Sequence, residues 1–237
     1  MLTIIYRGCS KELEMPPQRQ GRPHWFSKIN CFNSIHNSLQ NSNHKHDMKL
    51  IVLIQGDKSP LTDFINYCGY DILYHKGASD IESKTNQVNF SDGVKDSDIY
   101  FVEDDYLHCD NALDCIYTGV RKFGLVTGYD CSDRYTRDDD VCKGQESIYF
   151  YEGVHWRTAE STTNTWAVSK EMRDTIIPYT KHYGIGDRIM FRHMYVNGIR
   201  LHQPMLGVCT HVHEGVMGVG IDWEKINNQN AVVEETK

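Results

Sequence analysis

The chain lacks any long hydrophobic run. Nothing in it approaches the roughly 18 consecutive apolar residues that a membrane-spanning helix needs. Its opening segment, Met1 to Arg7, is too short and interrupted for a signal peptide and reads as a first strand; a cytoplasmic protein is the expectation. No C-x-x-C pair occurs, which argues against a zinc ribbon. The eight cysteines are scattered and read as reduced, mostly buried thiols. A P-loop, a G-x-G-x-x-G and a G-x-S-x-G are all missing, which weakens kinase, dehydrogenase and serine-hydrolase readings. Positive charge is scarce too: 25 Lys and Arg against 32 Asp and Glu give a formal net charge of −7. That balance disfavours a general polyanion-binding surface. The basic residues Arg7, Lys11, Arg19, Arg22 and Lys28 nevertheless gather near the start, so a local basic groove is compatible with the sequence.

What is present is an alternation of short apolar runs with helical periodicities. Runs at Thr3–Tyr6, Lys49–Ile54, Asp71–His75, Ile99–Val102, Leu125–Gly128, Ser147–Tyr151, Thr165–Val168 and Ile199–Leu206 predict strands. Helical spacing is read at Trp25–Leu39, from Pro60 to Tyr67, Thr85–Val94, Asn111–Lys122, Lys170–Ile177 and Asp187–Asn197. Pro178 is taken to end one helix and Gly198 to close the last. The loop Arg134–Gly144 with its acidic run is assigned to solvent. Strand–helix alternation of this kind predicts a mostly parallel α/β sheet with crossover helices. No repeat or domain linker interrupts it, and 227–237 is a polar tail that should fray.

The most informative stretch is Ile99-Tyr100-Phe101-Val102-Glu103-Asp104-Asp105. A buried strand runs straight into three carboxylates that repel one another unless something positive sits there. The carboxyl edge of an open α/β sheet is also where ligands bind. A divalent cation carrying a phosphate ester is the simplest occupant, since oxygen ligands suit Mn2+ or Mg2+. The plain alternative is turn formers or helix caps.

Three other places carry chemistry. In an extended Thr210-His211-Val212-His213-Glu214, His211 and His213 face the same way and are candidate metal ligands. Asp187 opens a helix, either as a cap or as a base able to accept a hydroxyl proton. Asp57 follows a strand, as a turn residue or as an acceptor for a nucleotide base or ribose. Trp25, Tyr135, Trp156 and Trp166 could stack on sugars or bases, although such residues more often lie in a core.

The order of these parts resembles a GT-A fold glycosyltransferase, similar to the family-two nucleotide-sugar transferases, from Thr3 to about Glu214. Glu103-Asp104-Asp105 stands where that fold carries its D-x-D motif. Asp57 matches the acid that meets the nucleotide base. Gly186-Asp187-Arg188 resembles the helix whose leading E-D carboxylate supplies the base. Ser161 to Ala167 looks like the strand near the acceptor, and His211 or His213 takes the place of a late metal-binding histidine. Two departures stand out: Gly186 replaces the usual Glu, and the acidic motif begins with Glu.

The resemblance implies a single Rossmann-like domain over 1–226, with a nucleotide-binding half (about 1–108) and an acceptor-binding half (about 109–226). It implies a metal-dependent hexosyl- or pentosyltransferase that moves a sugar, with inversion, from a nucleotide-sugar, a UDP-sugar first, to a carbohydrate or other hydroxyl acceptor. Asp105 with His211 or His213 would hold the metal. Arg7, Asp57, Glu103 and Asp104 would serve the nucleotide, and Asp187 would be the base. Arg19, Arg22 and Lys28 leave room for an anionic acceptor such as modified nucleic acid, which the net charge disfavours. The rival readings are a phosphodiester hydrolase on the same acid and histidine cluster, and a sugar-nucleotide-binding module without turnover.

Overall fold

Strand β1 (Leu2–Cys9) shows how the chain builds its layers. Leu2, Ile4 and Tyr6 enter one apolar cluster and Ile5 enters another, because successive side chains leave opposite faces of a strand. The protein is described by a computed structural model over residues 1–10, 21–76, 79–140, 142–182 and 186–232.

The helices are α1 (Lys28–Asn41), α2 (Pro60–Tyr67), α3 (Asp80–Ser91), α4 (Ala112–Phe123), a short α5 (Asp133–Thr136), α6 (Lys170–His182), α7 (Asp187–Val196) and α8 (Trp223–Gln229). Further strands are β2 (Met48–Gln55), β3 (Ile72–His75), β4 (Asp98–Glu103), β5 (Tyr106–His108), β6 (Leu125–Val126), β7 (Ile148–Tyr151), β8 (Val154–Ala159), β9 (Trp166–Val168), β10 (Leu201–Pro204) and β11 (Cys209–His211). Nine strands form one sheet in the order β3-β2-β1-β4-β9-β6-β10-β8-β7. β3, β2, β1 and β4 are mutually parallel, and β9 runs against β4 and β6. The fold is thus a mixed α/β architecture around a large, mostly parallel sheet. Residues of α1, α2 and α4 cover one face, while those of α3, α6 and α7 cover the other. A separate antiparallel pair, β5 with β11, stands off the main sheet.

Several expectations change on folding. α6 does not stop at Pro178 but runs through it. The missing N–H costs one bond, and the carbonyl it frees belongs to solvent-exposed Asp174, while buried Ile176, Ile177 and Thr180 hold the helix on both sides of the proline. Asn227 and Asn230 lie in or beside α8 rather than in a frayed tail: Asn30 donates to Asn227 at 3.1 Å and Asn37 to Asn230 at 2.9 Å. The acidic loop before β7 is not wholly solvated, because Asp139 accepts Arg188 of α7 at 2.9 Å. Trp156 and Trp166 are core residues, 1% and 3% exposed, which removes Trp156 as a stacking platform for a ligand. All eight cysteines are free thiols. Among the described residues no helix is long and apolar enough to cross a membrane. Lys11 and Arg19 lie outside the described residues, as does 183–185 before Asp187.

Candidate functional site

The three consecutive acids sit where β4 ends and turn away from one another. Their mutual repulsion is relieved by three separate cations of the protein itself. Glu103 is the register partner of Arg7 on β1, and the two side chains form a buried ion pair. Arg7 also donates to Asp80 Oδ1 at 2.9 Å, at the start of α3. Asp104 Oδ2 accepts the backbone N–H of Cys9 at 2.8 Å and faces Lys28 Nζ at 2.8 Å. Gly8 permits this approach, because a Cβ there would stand 3.3 Å from the Asp104 Cβ. Asp105 Oδ2 receives Arg22 Nη2 at 2.5 Å and lies 3.1 Å from His211 Nε2.

His211 reaches Asp105 through the small sheet. β11 pairs antiparallel with β5 so that His211 stands opposite Tyr106, the residue after Asp105. The Tyr106 ring stacks on the His211 ring at 5.5 Å, and the Tyr106 hydroxyl is tied to Thr163. His213 stacks on the other imidazole at 5.8 Å, but its Nδ1 faces the Glu214 carbonyl at 2.9 Å rather than Asp105. Among the described residues no three His, Cys, Asp or Glu side chains are grouped to hold a metal ion. The donors that do converge are Asp105 and His211. Asp105 Oδ1 is buried and has no hydrogen-bond partner among the described residues, so one carboxylate oxygen is left unsatisfied.

On the opposite face of β4, the acids have a different environment. Asp80 lies between Arg7 and Lys84, whose Nζ is 2.9 Å from Asp80 Oδ2. These cations hold Asp80 below the usual carboxylate range against the burial that would raise it. Asp187 opens α7 beside the same group, and its Oδ1 is buried with no partner among the described residues. Burial, helped by Glu103 and Asp80, pushes the Asp187 carboxyl up to about 7 against the pull of Lys84 and Arg7. Burial likewise raises Glu103, opposed by Arg7. Asp105 goes the other way: burial would raise it, but His211 and Arg22 hold it far below the ordinary range. His211 is in turn raised by Asp105 in spite of its burial.

α7 is clamped in place by buried Glu160, which accepts Arg188 Nε at 2.8 Å and also pairs with Arg192. A cavity of about 300 Å3 opens between α3, α6, α7 and the sheet, lined among others by Lys84, Gln87, Asn164, Trp166 and Met190; Asp187 does not line it, and is related to it through the charge of Lys84. Asp57 stands apart: it is exposed at the end of β2, and its backbone N–H donates to Ser10 Oγ at 2.9 Å. Reading the sequence missed Asp80 and Lys84. The one available signal was Ser79, which caps α3 through Glu82 N–H and fixes Asp80 in the first turn. Arg22 and Lys28 read in the sequence as part of a basic stretch open to an anionic acceptor, not as partners of Asp105 and Asp104.

No protein-family profile matches the chain, and no curated protein does. Solved structures do resemble it. An apo UDP-glucose pyrophosphorylase superposes with a TM-score of 0.56 at 8% identity, covering 96% of this chain and 97% of that one. A protein assigned as a glucose-1-phosphate thymidylyltransferase from Bacillus anthracis, solved with a sucrose, gives 0.53 at 11% identity, covering 100% and 98%. At such identities the likeness is one of fold: the chain has the GT-A-like, Rossmann-like α/β architecture of these nucleotidyltransferases.

Proposed function

We propose that the protein is a glycosyltransferase that moves a sugar from a nucleotide-sugar, a UDP-sugar first, to an acceptor hydroxyl with inversion. The observation that carries this reading is Asp187, a carboxylate pushed up to about 7 whose buried Oδ1 has no partner among the described residues. A base is most effective when its proton affinity lies near the working pH. A hydroxyl acceptor needs such a base, and we assign the acceptor to the cavity lined by Lys84, the cation that acts on Asp187.

Asp105 and His211 fit a divalent cation: one buried carboxylate oxygen is open, and an imidazole nitrogen lies against the other. Carboxylate plus imidazole suits Mn2+ better than Mg2+, with phosphate and water completing the shell. When bound, such an ion supplies Lewis-acid neutralisation of the departing diphosphate. Asp104, fixed by Cys9 and Lys28, would hydrogen-bond the ribose or assist the metal. Arg7 and Glu103 neutralise each other, so their part is to hold the ends of β1 and β4 in register rather than to touch nucleotide. Asp187 takes the acceptor proton, and Glu160 orients its helix through Arg188 and Arg192. The two histidines divide the work, with His211 as ligand and His213 packed against it.

The fold shared with pyrophosphorylases favours a second reading, nucleotidyl transfer onto a sugar phosphate. That reaction leaves Asp187 idle, because a phosphate nucleophile is already ionised at neutral pH. The deciding experiment incubates the protein with manganese and either a panel of nucleotide-sugars and acceptors, or nucleoside triphosphates and sugar 1-phosphates. Release of nucleoside diphosphate with glycosylated acceptor supports the proposal. Release of pyrophosphate from the second mixture, with no transfer in the first, rejects it. Phosphodiester cleavage without any sugar donor would point to a hydrolase.

A further inference from the structure

Asp105 Oδ2 is claimed twice, by Arg22 Nη2 at 2.5 Å and by His211 Nε2 at 3.1 Å. Arg22 has two other anchors: Nη1 donates to the Val212 carbonyl, and the guanidinium lies 4.7 Å over the Phe26 ring. Its Nε is buried and has no partner. An imidazole nitrogen that ligates a cation beside Asp105 cannot also hydrogen-bond Oδ2, and the cation repels a guanidinium at that oxygen. Cation entry therefore breaks the Arg22–Asp105 contact, while Val212 and Phe26 keep the guanidinium at the edge of the site. A freed Nη2, with the Nε on the same edge of the guanidinium, would then be available to the oxygens of whatever anion the cation carries. The planar fork of Arg suits a diphosphate, which it can grip through two parallel bonds.

We propose that Arg22 is a two-position residue, the counter-ion of Asp105 in the metal-free site and a clamp on the donor diphosphate once a divalent cation has displaced it. This rests on the reading of Asp105 and His211 as cation ligands and goes beyond it by naming a competitor. Arg22 weakens binding of the cation alone and strengthens binding of the diphosphate in the cation's presence. It thereby couples the two ligands, and such coupling is reciprocal.

The test measures Mn2+ binding to the full chain by electron paramagnetic resonance of free Mn2+, then inorganic pyrophosphate binding by calorimetry at saturating Mn2+. The proteins are wild type, Arg22→Met and Arg22→Lys, each checked for an unchanged melting profile. Loss of one charge-assisted hydrogen bond sets the scale at roughly tenfold. Arg22→Met should bind Mn2+ alone about tenfold more tightly and pyrophosphate about tenfold more weakly. Arg22→Lys keeps the charge but cannot bridge Asp105 and Val212, so it should also tighten Mn2+. If Arg22→Lys binds Mn2+ like wild type, only through-space charge is at work and the displacement is overturned. Unchanged pyrophosphate binding in Arg22→Met overturns the clamp. Asp105→Ala separates the two levels: if it binds Mn2+ as wild type does, the cation-site reading itself fails, whatever Arg22 does.

Discussion

Replacing Asp187 with Asn should make the protein more stable and far less active at the same pH. An acid whose proton affinity is raised in the folded state is penalised for ionising there. Its contribution turns unfavourable as pH climbs from the ordinary 3.8 toward about 7, and it stays unfavourable above that. At about 1.4 kcal/mol for each tenfold change in affinity, the full penalty at pH 8 is at most about 4 kcal/mol. The side chain is only half-buried, and solvent screening reduces the figure to roughly 1–2 kcal/mol. For a chain of this size that is a rise in Tm of about 2–8 °C. Scanning calorimetry of wild type and Asp187→Asn at pH 8 and pH 5 reads it directly. At pH 5 the folded carboxyl is protonated and less than about half of the gain should remain. Transfer should fall by about 10²–10⁴, and wild-type kcat/KM should rise with pH to a plateau above about 7. A variant that keeps its turnover, or melts no higher than wild type at pH 8, would refute the assignment of Asp187 as a strained base.

Asp105→Ala, assayed with manganese, should lose transfer by at least about 10³-fold while retaining its far-ultraviolet circular dichroism; near-normal turnover rejects the cation site. Arg7→Ala leaves Glu103 buried without its partner and should cost about 3–5 kcal/mol in urea unfolding. Arg7→Met with Glu103→Leu should recover a large part of that loss, which a purely volumetric effect would not. Gly119→Ala drives a methyl into the buried Trp156 ring and should destabilise by about 1–3 kcal/mol, read as a lower denaturation midpoint.

Much of the sheet was legible because its strands carry their own pattern. Ile99 to Val102 are too apolar to be anything but buried, as are Val52 to Ile54, and a parallel sheet covered on both faces asks for such runs. Helix α2 keeps the limits expected of Pro60 to Tyr67, and the structure adds the reason for its start: Ser59 with Thr62 forms a capping box. Strand β5 and its pairing with β11 were missed. Tyr106–His108 and Cys209–His211 are three residues long, too short for any period to show. Pro178 misled because its rule is local, whereas the packing of α6 around it is not.

The same division runs through the site. The sequence alone determined that three acids terminate a buried strand at the edge where a sheet opens to ligands, and that Asp187 begins a helix. Only tertiary structure decided which charge faces which acid. His211 meets Asp105 across 106 positions through the β5–β11 pairing. Arg7, Lys28 and Arg22 each answer one carboxylate, and burial with neighbouring acids lifts Asp187 toward neutrality. The reason is one of range: strand and helix periods are set by bonds between near neighbours, whereas a proton's affinity is set by desolvation and by charges brought close through space.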